Sequence, residues 1–234
     1  TPKPSSAASD VYKRQVQPLF ASENPSLGIY SKPDGIHLRL IAHGENAKQL
    51  LQTAEEQLEE IFADNIWGRD DDTLEGIISQ WLSQGGLTLA TMEDGTRGLL
   101  ANLISSVPQN SGCYRGGLVA CSDEIKTAWG VPSKLIREHG AISAPVAEAM
   151  AEAVRERLSA DVGLATTGIV AAANPEGRQP GLTYIGLADA QGKRSWQQNF
   201  ARFRDEASYR GAIAALFRLR ERLIELKIAT PPRR

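Results

Sequence analysis

The stretch from Leu87 to Ala101 reads LTLATMEDGTRGLLA and is the part of the chain that decides the fold. The apolar run from Leu87 to Met92 has the length and composition of a buried strand. A short turn containing Gly95 and Gly98 follows, and a helix is predicted to begin at once. This arrangement points backbone N–H groups and the positive end of a helix dipole into one place. The arrangement suits a phosphate or an oxyanion, but spacing alone favours the simpler interpretation, in which these glycines serve only the turn and the packing of helix on sheet.

Strands and helices alternate through the rest of this half of the chain. Strands are predicted at 114–120, 162–166, 183–187 and 194–198, and helices at 96–105, 123–129, 144–158 and 206–226. Such alternation favours an α/β fold in which helices cover a largely internal sheet. We predict a three-layer α/β/α domain over residues 85–234.

Residues 16–84 form a smaller predicted α+β module. Gly35 to Ala42 alternates apolar and polar residues, as a half-buried strand does. Apolar residues at helical spacing follow from Ala47 to Phe62 and from Leu74 to Leu82. One strand and two helices bury little apolar surface, so we expect this module to pack against an adjoining partner. Residues 1–15 show neither helical nor strand periodicity and are expected to be a disordered leader or a translation artefact.

The composition argues against several classes of partner. The formal charge of −2 gives no electrostatic basis for binding nucleic acid or an anionic membrane surface. No apolar run approaches the ~18 residues of a membrane span. The three histidines show no metal-ligand spacing, so we expect no metal and no cofactor. Cys113 and Cys121 are close in sequence and are expected to stay reduced, which indicates a cytoplasmic protein.

A second informative stretch, Tyr114 to Lys126, reads YRGGLVACSDEIK. Ser122 and Asp123 are expected to cap the helix that follows, and Lys126 to face back toward the strand end. A lysine desolvated there can have a lowered pKa and act as a base or activate a nucleophile. The alternative is an ordinary surface lysine beside a helix.

Five segments together resemble, in order and spacing, the C-terminal domain of the competence/damage-inducible CinA family. They are LTLATMEDGTRGLLA, YRGGLVACSDEIK, GVPSKLIREHGAIS, ADVGLATTGI and LTYIGLAD. Members of this family are nicotinamide mononucleotide amidohydrolases, which release nicotinate mononucleotide and ammonia. The resemblance implies that the partner is a small nucleotide, and it makes a homo-oligomer the expected assembly.

Two earlier segments, NPSLGIYSKPDGIHLRL and IWGRDDDTLE, resemble the KH-like middle domain of CinA proteins. KH domains that bind RNA clamp its backbone with a GxxG loop. Here the corresponding turn contains Asp70, Asp71 and Asp72, whose carboxylates would repel phosphate. We expect this module to serve packing or domain spacing and not nucleic-acid binding.

The catalytic motifs of the family are altered in this chain. The motif AESCTGG, whose serine is the nucleophile, reads MEDGTRG, so Asp94 occupies the serine position and Arg97 a glycine position. In the motif YSNExK, Cys121 replaces the tyrosine and Lys126 is retained. The resemblance implies catalytic positions at Asp94, Cys121 and Lys126, and substrate-binding positions at Glu93, Thr96, Gly98, Ser122, Thr167, Gly168 and Arg204.

These replacements predict impaired or absent amidohydrolase activity. A carboxylate is a poor nucleophile toward an amide, and losing a nucleophile removes several orders of magnitude of rate. We expect Arg97 to neutralise Asp94, and Cys121 to be a buried structural thiol. Two alternatives stay open: Asp94 acts as a general base on water with Lys126 as the proton donor, or the domain is a non-catalytic structural or oligomerising module.

Overall fold

The computed structural model describes residues 16–108, 112–168, 180–200 and 206–229. The predicted leader at 1–15 lies outside the described residues. The chain divides into two compact units that meet in sequence at Asp70 and Asp71. The sequence instead predicts a boundary near Gln84 to Gly86, which would leave the helix Leu74–Gln84 in the first unit. That helix belongs to the second unit, because its apolar side, including Ile78 and Leu82, is fully buried there.

The described residues of the first unit form a β-hairpin, two α-helices and a short 3-10 helix, Ala63–Asn65. Helix α1 (16–21) is followed by β1 (Ser26–Lys32), which pairs antiparallel with β2 (Gly35–Ile41), and by α2 (Ala47–Phe62). Its core combines α1 and α2 and consists of Val16, Leu19, Ala54 and Leu58. The sequence predicts β2 and α2 but not β1, because much of β1 is exposed and shows no alternation of apolar and polar residues.

The second unit is a five-stranded mixed sheet covered by helices. The strands are β3 (Leu89–Glu93), β4 (Tyr114–Val119), β5 (Val162–Gly168), β6 (Leu182–Asp189) and β7 (Gly192–Asn199). They lie in the order β4-β3-β5-β6-β7. Strand β3 is parallel to both β4 and β5, whereas β6 is antiparallel to both β5 and β7. The predicted α/β class is confirmed.

Six helices accompany this sheet. They are α3 (Leu74–Gln84), α4 (Leu99–Ser105), α5 (Asp123–Ala128), α6 (Ser133–His139), α7 (Ala144–Arg157) and α8 (Ala207–Glu225). Helix α7 packs on β5, β6 and β7, while α8 packs on β5 and β6 and contacts α3 and α4. Helix α6 is the one helix in the described part of this unit that the sequence does not predict; only Ile136 of its seven residues is buried, so no apolar side marks it.

Two glycines allow α7 to lie unusually close to the sheet. A Cβ atom at Gly163 in β5 would overlap the carbonyl oxygen of Ala151, and one at Gly186 in β6 would overlap that of Ala147. The backbone of α7 therefore approaches the backbone of β5 and β6 directly. Residues that follow Gly163 at every second position, including Thr167, share this face of β5.

Candidate active site

The carboxyl ends of β3, β4 and β5 bring the predicted site residues together. Asp94 directly follows β3, Lys126 lies on the helix that follows β4, and Thr167 is near the end of β5. Because β3 is parallel to both neighbours, these three strand ends meet at one edge of the sheet. This is also the edge at which open α/β sheets bind their ligands.

Asp94 and Lys126 form a buried ion pair. Nζ of Lys126 lies 2.9 Å from Oδ2 of Asp94, and the lysine is only 1% exposed. The alternative of a surface lysine is therefore wrong. A second carboxylate, Asp123, lies 3.9 Å from the same Nζ atom but is largely exposed. Its spacing of three residues from Lys126 on α5 is a signal that the sequence interpretation overlooked.

Thr167 connects this ion pair to the loop that precedes α7. Its Oγ1 atom lies 3.3 Å from Oδ2 of Asp94 and 2.9 Å from the carbonyl oxygen of Ala141. A hydroxyl has one proton, so Thr167 can donate to only one of these acceptors at a time. Ala141 acts through its backbone, which explains why no side-chain motif pointed to it.

The electrostatics of Asp94 are dominated by burial. Burial raises the pKa of the Asp94 carboxyl above its ordinary value, and the nearby Lys126 charge and the hydrogen bonds from Lys126 and Thr167 lower it only in part. The ammonium group of Lys126 is itself removed from water and needs a counter-charge. Asp94 supplies that counter-charge, so each group of the pair depends on the other.

The candidate anion site at the start of α4 is already filled by the chain itself. The carboxylate of Glu93 accepts hydrogen bonds from the backbone N–H groups of Gly98, Leu100 and Ala101, and from the hydroxyl of Thr96, at 2.6 to 3.0 Å. Glu93 is 1% exposed. These N–H groups are therefore not available to a phosphate or an oxyanion, since a negative side chain already satisfies them, and the turn has the structural role that the spacing favours.

Thr96 and Gly98 complete this internal cap. The Thr96 hydroxyl lies 2.6 Å from that of Thr166, and Thr96 is buried. Gly98 has φ +89°, in the left-handed region that glycine adopts without strain. The predicted substrate-binding residues Glu93 and Thr96 thus face the interior on the α4 side of the sheet, and we assign them a structural role.

Two expectations about the replaced motif positions are wrong. Arg97 is exposed and forms no ion pair with Asp94 among the described residues, because Lys126 takes that role. Cys121 is exposed and not buried, because it follows β4 at the open edge of the sheet. Cys113 is buried, Cys121 is exposed, and neither forms a disulfide within the described residues.

The other predicted positions make contacts within the fold or lie outside the described residues. Ser122 accepts a hydrogen bond from the backbone N–H of Ile125 at 3.3 Å and caps α5, as predicted. Gly168 lies against Gly95, where a Cβ atom would come within 3.0 Å of the Gly168 carbonyl oxygen. Arg204 and the segment 169–179, which continues the loop after Gly168, lie outside the described residues.

Along the described ranges, His, Cys, Asp and Glu side chains form no group of three that could hold a metal ion. None of the helices in the same ranges combines the length and the apolar character that a membrane span requires.

The mixed sheet and the site at its edge define a CinA-type α/β domain. The chain matches the family model of the CinA C-terminal domain over residues 71–223 and that of the damage-inducible protein CinA KH domain over residues 11–68. The protein therefore belongs to the CinA family. The first unit is accordingly KH-like, as the sequence predicts.

Individual relatives agree with this assignment. A CinA-like protein of Synechococcus sp. (strain CC9902) is 37% identical over 217 residues, which cover 90% of this chain and 52% of the relative. One from Rippkaea orientalis is 33% identical over 218 residues, with the same shares. The chain thus spans about half the length of these curated relatives.

Solved structures support the fold. A CinA superfamily protein from Escherichia coli superposes with a TM-score of 0.59 at 26% identity and covers 68% of this chain and 98% of its own. One from Klebsiella pneumoniae has a TM-score of 0.62 at 21% identity, covering 65% of this chain and 96% of its own.

Proposed function

We propose that the second unit is a nicotinamide mononucleotide amidohydrolase-like domain that binds its nucleotide but hydrolyses it poorly or not at all. The observation that carries the proposal is the buried ion pair between Asp94 and Lys126, with Nζ and Oδ2 2.9 Å apart. By family resemblance position 94 corresponds to the nucleophilic serine, which supports the inference that the pair lies where the reaction would take place.

Amide hydrolysis needs a nucleophile, a base to activate it and a proton for the departing ammonia. Nζ of Lys126 is engaged by the Asp94 carboxylate and is not available to activate another group. The carboxylate of Asp94 is itself a weak nucleophile toward an amide. The single replacement of the family serine by Asp94 therefore removes the nucleophile and also occupies the lysine that would activate it.

Cys121 does not restore a nucleophile. It lies in the exposed loop after β4 and has no hydrogen bond to Lys126 among the described residues. A thiol becomes reactive when a cation or a base lowers its pKa. Lys126 is instead bound to Asp94.

Ammonia release from nicotinamide mononucleotide tests this proposal directly. We expect no release above the uncatalysed rate from the wild-type chain, together with measurable nucleotide binding by calorimetry. The variant Asp94→Ser, combined with Arg97→Gly and Cys121→Tyr, restores the family motif at these positions and is expected to gain activity. The matched control keeps Asp94 and carries only Arg97→Gly and Cys121→Tyr, and it should stay inactive.

One observation favours a second candidate, an active amidohydrolase that uses Asp94 as a general base on water. Burial raises the pKa of Asp94, and its side chain is 17% exposed, so water can reach it. In this case the wild-type chain releases ammonia, and both Asp94→Asn and Lys126→Ala abolish the release. Absence of nucleotide binding at millimolar concentration would leave a structural or oligomerising module.

A further inference from the structure

The two carboxylate oxygens of Asp94 have different surroundings. Both hydrogen bonds of the side chain, from Lys126 and from Thr167, are made to Oδ2. Across the described ranges Oδ1 accepts no hydrogen bond. The side chain of Asp94 is 17% exposed, whereas that of Lys126 is 2% exposed. A ligand that reaches this site therefore finds Oδ1 as an acceptor that no described residue uses, while the Lys126 ammonium is buried and paired with Oδ2.

We propose that Asp94 makes this site selective for a ligand that carries a primary carboxamide over the same ligand carrying a carboxylate. The inference rests on the proposed function, in which the domain keeps its nucleotide binding. A carboxamide has two N–H donors, and one of them can bind Oδ1. A carboxylate has no proton to donate and would bring a second negative charge against Asp94, and such repulsion is a common source of specificity.

The neighbouring donors do not offset this selectivity. The ammonium of Lys126 is buried and already neutralised by Asp94. The hydroxyl proton of Thr167 is shared between Asp94 and the carbonyl oxygen of Ala141. The family reaction converts an amide into an acid, so this site would hold the substrate form and discriminate against the product form.

Competition between two nucleotides tests the inference on the whole chain. The probes are nicotinamide mononucleotide and nicotinate mononucleotide, which differ only in the amide or acid group, and their Kd values are measured by titration calorimetry at pH 7. We expect the amide to bind about tenfold tighter or more, which is the scale of one hydrogen bond to a charged group.

Variants assign the preference to Asp94. Asparagine offers both a donor and an acceptor, so Asp94→Asn is expected to lose or reverse the preference. Because this change leaves Lys126 buried without a partner, the double variant Asp94→Asn with Lys126→Met provides a site that is neutral and foldable, and it should bind both probes within about threefold. Glu124→Gln removes a fully exposed carboxylate from the same helix and should keep the wild-type preference.

Each outcome decides the inference. Equal binding of the two probes by the wild-type chain, or tighter binding of the acid, overturns it while leaving nucleotide binding intact. A preference that persists in the double variant shows that another group sets it and also overturns the assignment. Binding of neither probe at millimolar concentration removes the inference together with the binding half of the proposed function.

Discussion

Glu93 and Asp94 are neighbours in the chain, but their carboxylates bind different helices: Glu93 holds the start of α4, and Asp94 binds Lys126 on α5. Successive side chains at the end of a strand point to opposite faces of the sheet. One carboxylate therefore stabilises the turn from the α4 side, and the other occupies the site on the α7 side.

The cap formed by Glu93 should contribute strongly to stability. Glu93→Ala leaves three backbone N–H groups and the Thr96 hydroxyl without their acceptor, and we expect a loss of about 3 kcal/mol in the free energy of unfolding. Glu93→Gln retains part of the hydrogen bonding and should lose less. Urea denaturation measures both. Glu124→Gln, a fully exposed acid in the first turn of α5, is the control, and an equal loss in it would contradict the assigned role of Glu93.

The Asp94–Lys126 pair should show strong coupling in a double-mutant cycle. Lys126→Met leaves a buried carboxylate alone, and we expect it to cost about 3 kcal/mol at pH 7. The double variant Asp94→Asn with Lys126→Met buries no charge and should recover much of that loss. Additive effects of the two single changes, measured by chemical denaturation, would show that the pair is not coupled.

The same pair sets a dependence on pH. Burial raises the folded-state pKa of Asp94, and removing Lys126 takes away a charge that lowers it. A carboxyl with a raised folded pKa contributes stability below its unfolded pKa of ~3.9, and that contribution is lost as pH rises through the folded pKa. The Tm of Lys126→Met should therefore fall as the pH is raised from mildly acidic to neutral, whereas the Tm of the double variant should not.

A second ion pair predicts the opposite behaviour in acid. Burial alone would raise the pKa of Asp189, but hydrogen bonds from Arg222 and from the Gln191 N–H, with the guanidinium charge, lower it below its ordinary value. Its stabilisation is present above the unfolded pKa of ~3.9 and is lost as pH falls through the folded pKa. Thermal unfolding between pH 5 and about 2 should show a steeper loss for the wild-type chain than for Asp189→Asn. Parallel curves would exclude this role for the pair.

Tyr114, one of five tyrosines in the chain, should ionise at a higher pH than an ordinary tyrosine. Burial raises the pKa of its phenol to about 12, with a partly opposing hydrogen bond to Thr91 at 2.6 Å. The folded state therefore favours the neutral phenol, and this stabilisation is lost as pH rises through about 12. Phenolate absorbance measures the titration, and the late component should be missing from Tyr114→Phe. An unchanged curve in that variant would refute the assignment.

The α/β fold and the contact between Asp94 and Lys126 could be predicted from the sequence because of the way parallel strands are arranged. Parallel strands bring their carboxyl ends to one edge, so a residue after β3 and a residue on the helix after β4 must come close. Asp94 and Lys126 do so. The family resemblance then identified these positions within a much longer stretch.

Other features depend on tertiary packing that local patterns do not encode. Cys121 is exposed because β4 is an edge strand, and strand order is not a property of any single segment. Glu93 accepts four hydrogen bonds. Predicting them would require the direction in which α4 leaves the turn, which the local sequence does not give. Helix α3 was assigned to the wrong unit because its periodicity shows an apolar side but not what covers it.

The glycines at 163 and 186 connect the packing of α7 on the sheet to the geometry of the site. Helix α7 begins just after the loop whose Ala141 carbonyl receives the Thr167 hydroxyl proton. A methyl group at Gly163 would overlap the backbone of α7 and displace the helix away from the sheet, together with the loop that precedes it. Thr167 would then be released to bind Asp94 alone, so a substitution remote from the ligand would retune the acidity of the central carboxylate.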